Sequence, residues 1–301
     1  MSDARKAESR KPNTSKGGRL DVRKTYKLFI GGAFPRSESG RSYEVTDGKG
    51  RLLANAAMAS RKDARDAVVA ARKAFGGWSA ATAYNKGQVL YRVAELLEGR
   101  RDQFVDEVAA GEGLSRAKAE AAVSEAVDRW VWYAGWSDKV SQVAGSANQV
   151  AGPYFDFSVP EPTGVVAVIA PQDSSLLGLV SVVAPAIVTG NTVVVLASQE
   201  HPLPAVTLSE VLATSDVPGG VVNVLTGRTD EMAPWLASHM DVNAIDLAGT
   251  TDEVATALQI AAADNLKRVI RPSATDWADT PDLHRLLAHL ETKTVWHPVG
   301  I

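Results

Sequence analysis

The sequence predicts an α/β protein: a parallel sheet flanked by helices, preceded by a largely helical segment and carrying a protruding β-hairpin arm. Three observations lead there. From Gly164 onward, short apolar runs alternate with longer helix-like stretches, the rhythm of a parallel sheet with helical crossovers. From Lys62 to Trp136, apolar residues recur at helical spacing. Between these regions, Ser137 to Ser158 mixes Gly, Gln, Ser and Asn with Val and then nearly alternates Tyr154, Phe155 and Phe157, which reads as an extended hairpin.

The chain has 301 residues, 45% hydrophobic and 22% charged. That is an ordinary globular composition, long enough for one large or two modest domains with a sizeable core. A net charge of -3, from 32 basic and 35 acidic residues, argues against a nucleic-acid partner. No cysteine is present, so there is no disulfide, no thiolate metal site and no thiol nucleophile. The five histidines lack metal-ligand spacing, and no metal is expected. No run approaches the roughly 18 apolar residues of a membrane span, and the N-terminus lacks the apolar core of a secretory signal. The expected compartment is the cytoplasm, without a membrane partner.

Taken in order, residues 1–24 are polar and basic and are expected to form a disordered tail. Residues 25–136 form the helical part. It opens with a strand at Lys27 to Ile30, turned by Gly31-Gly32, and an extended run at Ser42 to Thr46. Helices follow over 62–75, 85–100, 104–110 and 117–136. The Trp and Tyr cluster of Arg129 to Trp136 reads as helix-packing core. The arm occupies 137–160; a hairpin with little core of its own leans on something else, often another subunit. Residues 161–272 hold strands at 164–170, 192–196, 221–225, 244–248 and 268–270, with helices at 176–188, 203–213, 231–238 and 250–263. The uninterrupted apolar character of the first two strands is expected where both sheet faces are buried. A polar loop and a short helix (281–290) fill 273–291, and a last strand over 292–296 lies in a terminal segment, 292–301.

Ligands of open parallel sheets bind beyond the carboxyl ends of the strands. The loops there are Ala170 to Ser175, Ala197 to Glu200, Thr226 to Thr229 and Gly249 to Thr251. Glu200, just past a strand, suits a ribose diol. Thr250 reads either as a helix N-cap or as a phosphate ligand beside free backbone N–H groups. No Gly-x-Gly-x-x-Gly motif occurs.

Longer landmarks are more specific. Phe29-Ile30-Gly31-Gly32, Phe75-Gly76-Gly77-Trp78-Ser79 and Tyr133-Ala134-Gly135-Trp136 come first. Glu161-Pro162-Thr163-Gly164, Ala184-Pro185-Ala186 with Gly190-Asn191-Thr192, and Gly219-Gly220-Val221-Val222-Asn223 follow. In this order they resemble the NAD(P)-dependent aldehyde dehydrogenase family over roughly residues 26 to 255. Glu291-Thr292-Lys293-Thr294-Val295-Trp296 is similar to that family's final strand, which the resemblance implies pairs across subunits. It also implies a Rossmann-like dinucleotide domain, an oligomerisation role for the arm, and a cofactor lying against Ile169, Ala170, Pro171, Gln172, Ser198, Glu200, Gly227, Gly249 and Thr250.

The departures bear on activity. The family forms a thiohemiacetal on a Cys, and here there is none. Only 273–291 stands where the family's catalytic domain would lie. Arg271-Pro272-Ser273 replaces the general-base motif. Asp173 aligns with the oxyanion-stabilising Asn, where a carboxylate repels developing negative charge. Ala197 replaces the Lys that contacts the adenosine ribose, and Thr229 and Val254 replace glycines. The expectation is a catalytically inactive subunit, homo-oligomeric or assembled with a full-length aldehyde dehydrogenase as its structural or regulatory partner, with NAD or NADP bound weakly or not at all. The alternative is an NAD(P)-binding oxidoreductase using non-thiol chemistry through Asp173, Ser198 and His201.

Overall fold

A computed structural model describes residues 23–300. The expected disordered tail lies outside the described residues up to residue 22. Its last two residues engage the fold: Arg23 Nη1 donates to the Leu52 carbonyl (2.6 Å) and Lys24 pairs with Glu210 (2.5 Å).

The chain opens on a small sheet of β1 (Thr25–Tyr26), β2 (Ser42–Thr46) and β3 (Leu52–Ala57), in order β1-β3-β2. The strand expected at Lys27 to Ile30 is reduced to a bridge. Phe29 and Val224 exchange backbone hydrogen bonds of 2.9 and 2.7 Å, so this stretch staples the small sheet to the large one. Gly32 follows at φ +84°, and a Cβ there would lie 2.9 Å from Gly219 Cα, so the turn requires glycine.

Four helices follow: α1 (Arg61–Ala80), α2 (Ala83–Glu98), α3 (Arg101–Glu112) and α4 (Arg116–Trp136). A capping box of Ser60 and Asp63 starts α1. This helix runs five residues past the expected end, through Gly76-Gly77, because Trp78 is buried and its indole N–H donates to the Ile187 carbonyl (2.8 Å). The aromatic cluster of α4 is core, as expected: Trp130 and Tyr133 are buried, and Trp132 meets Tyr133 edge-on.

The arm differs from a plain hairpin. Residues Val140–Ala144 form a short helix, α5, whose Val140 is buried, before β4 (Ser146–Asn148) and β5 (Tyr154–Pro162). The anchoring valine and the Gly145 N–H bond to the Ser141 carbonyl (3.1 Å) hold that turn against the extended preference of its neighbours.

The large sheet contains β6 (Val165–Ile169), β7 (Thr192–Leu196), β8 (Val222–Leu225), β9 (Ala244–Asp246) and β10 (Arg268–Ile270). All pairings are parallel, in the order β10-β9-β6-β7-β8. The crossovers are α6 (Leu177–Val188), α7 (Leu203–Ala213), α8 (Thr229–Ser238) and α9 (Asp252–Ala262). One face packs on α2, α3, α4, α6 and α7, the other on α1, α8 and α9. Every residue of β6, β7, β8 and β9 is buried, which explains their apolar runs. The chain winds from β6 through β7 to β8 and then returns to β9 on the other side of β6. The switch point therefore lies between β6 and β9.

The remaining chain forms α10 (His284–Ala288) and β11 (Leu290–Pro298). Arg285 of α10 makes an ion pair with the fully buried Asp246 at the end of β9. The terminal strand is longer than expected. Within this chain, β11 lies antiparallel to β5 over nine residue pairs, at the edge of a sheet of order β11-β5-β4. The arm thus finds its first partner in the same chain.

His289, between α10 and β11, is fully buried, and neither ring nitrogen has a partner among the described residues. Burial, with help from Arg285, Arg268 and His284, pushes its imidazole down to about 3. A base with a depressed folded-state value stays neutral in the fold while the unfolded chain takes up a proton. Stability should therefore be full above pH 6.5 and fall as pH drops from there toward 3, by at most about 1.4 kcal/mol per pH unit. Urea unfolding of the wild type and His289→Leu across this range should show a shallower slope in the variant; equal slopes would contradict the assignment.

Candidate site at the carboxyl ends of the parallel sheet

The loops after β6, β7, β8 and β9 converge on a cleft of about 380 Å³ lined by Gln172, Asp173, Gln199, Glu200, His201, Thr229 and Gly249. Its floor is set by a backbone contact. Gly249 N–H donates to the Ile169 carbonyl (2.9 Å), and a Cβ on Gly249 would lie 1.9 Å from the Ala170 carbonyl oxygen. Only glycine lets the β9 loop come so close to the end of β6.

A network of amides shapes the wall. Gln172 Nε2 donates to the Ala170 carbonyl (2.7 Å), and its Oε1 accepts the Gln199 N–H (2.9 Å). Gln199 Oε1 in turn accepts the Thr229 N–H (3.3 Å). Ser198 Oγ donates to the Gln172 carbonyl (2.9 Å) and accepts the His201 N–H (3.2 Å). Two glutamines and one serine thus fix the loops after β6, β7 and β8 relative to one another.

The cleft brings together Gln172, Asp173, Glu200 and Gly249 of the residues expected from the sequence. The others sit elsewhere. Ile169, Ala170 and Pro171 are buried, their carbonyls or rings engaged within the fold. Buried Ser198 braces the loop. Gly227, at φ +139°, packs against the Ala59 N–H, 3.1 Å from where its Cβ would be. Thr250 is not the helix N-cap: its N–H (3.0 Å) and hydroxyl (2.8 Å) both donate to the Leu247 carbonyl, and Thr251 caps α9, accepting the Val254 N–H at 3.4 Å. Gln199 was not singled out from sequence, because no motif marks it. Its position in the loop after β7 was the available signal.

Two features bear on chemistry. No hydrogen bond joins the Ser198 hydroxyl to the His201 ring, whose Nδ1 is buried without a partner among the described residues, so no Ser–His nucleophile pair is assembled. The cleft is lined, among the described residues, by the carboxylates of Asp173 and Glu200 and by no lysine or arginine. Among the described residues, no group of three or more His, Asp or Glu side chains converges as a metal site, and no helix is long and apolar enough to cross a membrane.

A larger cavity, about 860 Å³, lies beside the 273–288 segment. Arg129 crosses it as a brace, donating to Ser181 Oγ (3.0 Å) and to the carbonyls of Trp277 (2.8 Å) and Asp279 (2.9 Å).

A doubly wound parallel sheet with a strand-end cleft and a separate three-stranded arm defines a dinucleotide-domain architecture. Residues 34–271 match the family model described as "Aldehyde dehydrogenase family". This chain belongs to the aldehyde dehydrogenase family. It is 35% identical over 255 residues to the 2-hydroxymuconic semialdehyde dehydrogenase of Pseudomonas sp. (strain CF600), covering 82% of this chain and 51% of that protein. It is 33% identical over 251 residues to the mitochondrial benzaldehyde dehydrogenase of Antirrhinum majus, covering 81% and 46%. The NAD-dependent aldehyde dehydrogenase of Sinorhizobium meliloti superposes with a TM-score of 0.78 at 28% identity, over 85% of this chain and 51% of that one. The Bacillus cereus aldehyde dehydrogenase, solved as its NAD+ complex, gives 0.77 at 26% identity, over 82% and 50%. The chain spans about half the length of the curated relatives it matches.

Tested against these residues, a dinucleotide fits in part. Glu200 suits a ribose diol, but among the described residues no lysine or arginine lines the cleft to meet a pyrophosphate. Replacing Gly249 with Ala should destabilise the fold by about 1–3 kcal/mol in chemical denaturation, the cost of forcing a methyl into packed backbone. An unchanged midpoint would show that the close approach is not present in solution.

Proposed function

We propose that this chain is a catalytically inactive member of its family that works by assembly. It would form a homo-oligomer, or join a full-length aldehyde dehydrogenase as a structural or regulatory partner, in the cytoplasm. The observation that carries the reading is β11. This nine-residue strand is exposed along nearly its whole length, and its outer edge is unpaired among the described residues. A long bare edge pairs with another chain unless it is covered, and a small sheet gains stability by packing on a partner. Tyr154, Phe155 and Trp296 present exposed aromatic surface on the same sheet, the residue types enriched at interfaces.

Inactivity is supported by the chemistry present. There is no thiol in the 301 residues. Asp173 offers a carboxylate where the family resemblance calls for an amide donor, and Arg271-Pro272-Ser273 stands where it calls for a general base. The non-thiol alternative has weaker support, because the Ser198 hydroxyl is engaged with Gln172 and not with a base.

Purified protein should produce no NADH or NADPH from a panel of aldehydes above background, and Asp173→Asn should not restore turnover, since the nucleophile is still missing. Burst kinetics or a covalent aldehyde adduct by mass spectrometry would overturn the inactive reading. Trp296→Glu should leave the melting temperature nearly unchanged and weaken assembly on the order of tenfold or more in analytical ultracentrifugation. Unaltered assembly would remove β11 from the interface.

A further inference from the structure

We infer that the large cavity between α4, α6, β10 and the 273–288 segment binds a small organic acid, its carboxylate held by Arg129 and Tyr133. The inference is independent of the assembly reading. This cavity shares no lining residue with the strand-end cleft. Most of its wall comes from residues 272–288, beyond the 34–271 that the family model matches.

The argument begins with an unmatched charge. Four arginines line the cavity. Three are neutralised by carboxylates: Arg268 by Glu291 (2.6 Å), Arg271 by Asp252 (3.3 Å) and Arg285 by the buried Asp246. Arg129 is different. It is 5% exposed and has no ion-pair partner among the described residues, and Glu125, one turn earlier on α4, is exposed. Three of its five guanidinium N–H groups donate to Ser181 Oγ and to the carbonyls of Trp277 and Asp279, all uncharged acceptors. The Nε–H and one Nη1–H have no acceptor among the described residues. A buried cation without a counter-charge is costly, and a carboxylate is the anion whose two oxygens match the guanidinium fork.

Tyr133 supplies a second unused donor. It lies one turn beyond Arg129 on α4, is 2% exposed and lines the same cavity. Its hydroxyl makes no hydrogen bond among the described residues, although buried polar groups are nearly always paired. Burial, with Asp282 and Asp246, pushes its phenol up to about 12 against the opposing charges of Arg129 and Arg285. It therefore keeps its proton at neutral pH and can donate to a ligand oxygen.

The remaining wall sets the kind of acid. Ile270, Trp277, Pro281 and Ala288 present apolar groups, and the Arg285 guanidinium lies over the Trp277 ring, 5.2 Å from its centroid. Asp276, Asp279 and Asp282 line the exposed side, where they oppose any further negative charge. One unmatched cation inside and carboxylates outside favour a monoanion with an apolar body over a phosphate. A volume of about 860 Å³ is within the range of small-molecule pockets.

The test is isothermal titration calorimetry on the full chain with benzoate, phenylacetate, benzamide and inorganic phosphate as probes. At least one of the two acids should bind with a Kd below about 1 mM. It should bind roughly tenfold or more tightly than phosphate and than benzamide, which keeps the ring and lacks the charge. Tyr133→Phe removes only an unbonded hydroxyl, so it should leave the melting temperature nearly unchanged and weaken the acid about tenfold. Arg129→Lys, which keeps the charge and loses the fork, should weaken it by a similar factor and reads the same site independently. Neither acid binding below about 1 mM would overturn the inference and leave Arg129 as a brace only. Benzamide or phosphate matching the better acid, or both variants retaining full affinity, would overturn it equally.

Discussion

Asn191 joins three parts of the chain with one side chain. Fully buried at the start of β7, it accepts the Gly164 N–H (2.8 Å) at the head of β6. Its amide donates to Thr189 Oγ1 (2.9 Å) at the end of α6 and to the His289 carbonyl (2.9 Å) just before β11. The Thr163 N–H reaches the same carbonyl (3.2 Å). The register of the two central strands, the end of the first crossover helix and the departure point of the terminal strand are therefore set together. Burying an amide is costly unless its donors and acceptor are matched, and here both kinds are. The arm sheet is in effect hung from the base of the parallel sheet through this residue.

The two ends of that sheet consequently serve different purposes. At the amino ends of the strands, Asn191 and His289 fix β11 and hence the exposed arm. At the carboxyl ends, Gly249 and the glutamine network fix a small polar cleft. The cleft is rigid where it touches backbone and acidic where it faces solvent. Arg129 and the buried pair of Asp246 with Arg285 hold residues 277–285 against α4, α6 and β9, so this stretch is a built part of the fold and not a loose remnant. A rigid framework, a sequence without a thiol and a strand edge unpaired among the described residues form the combination on which the proposed assembly role stands.

The parallel sheet was legible because burial on both faces leaves one pattern, an unbroken apolar run, and Thr192–Leu196 was placed to the residue. β3 was not, since Leu-Leu-Ala-Asn-Ala-Ala carries no β-branched side chain and becomes a strand only through pairing on both edges. The helix at Val140–Ala144 was hidden among Gly, Ser and Gln for the same reason: a tertiary anchor, Val140, decides it. β11 was visible as a strand, but its partner was not, because pairing over a separation of more than a hundred residues leaves no local trace. In the cleft, Gln172, Asp173, Glu200 and Gly249 followed from the strand-end rule. Ser198, Gly227 and Thr250 lie on the same loops, yet their polar or backbone groups turn inward, and the direction of a loop side chain is not written in its position.

The account's central claim, assembly without chemistry, is tested most directly by native mass spectrometry of the protein isolated from its own host. The account predicts an oligomer, with full-length aldehyde dehydrogenase chains or with further copies of this chain, free of bound dinucleotide. A monomer, or an assembly that retains NAD or NADP, would contradict it.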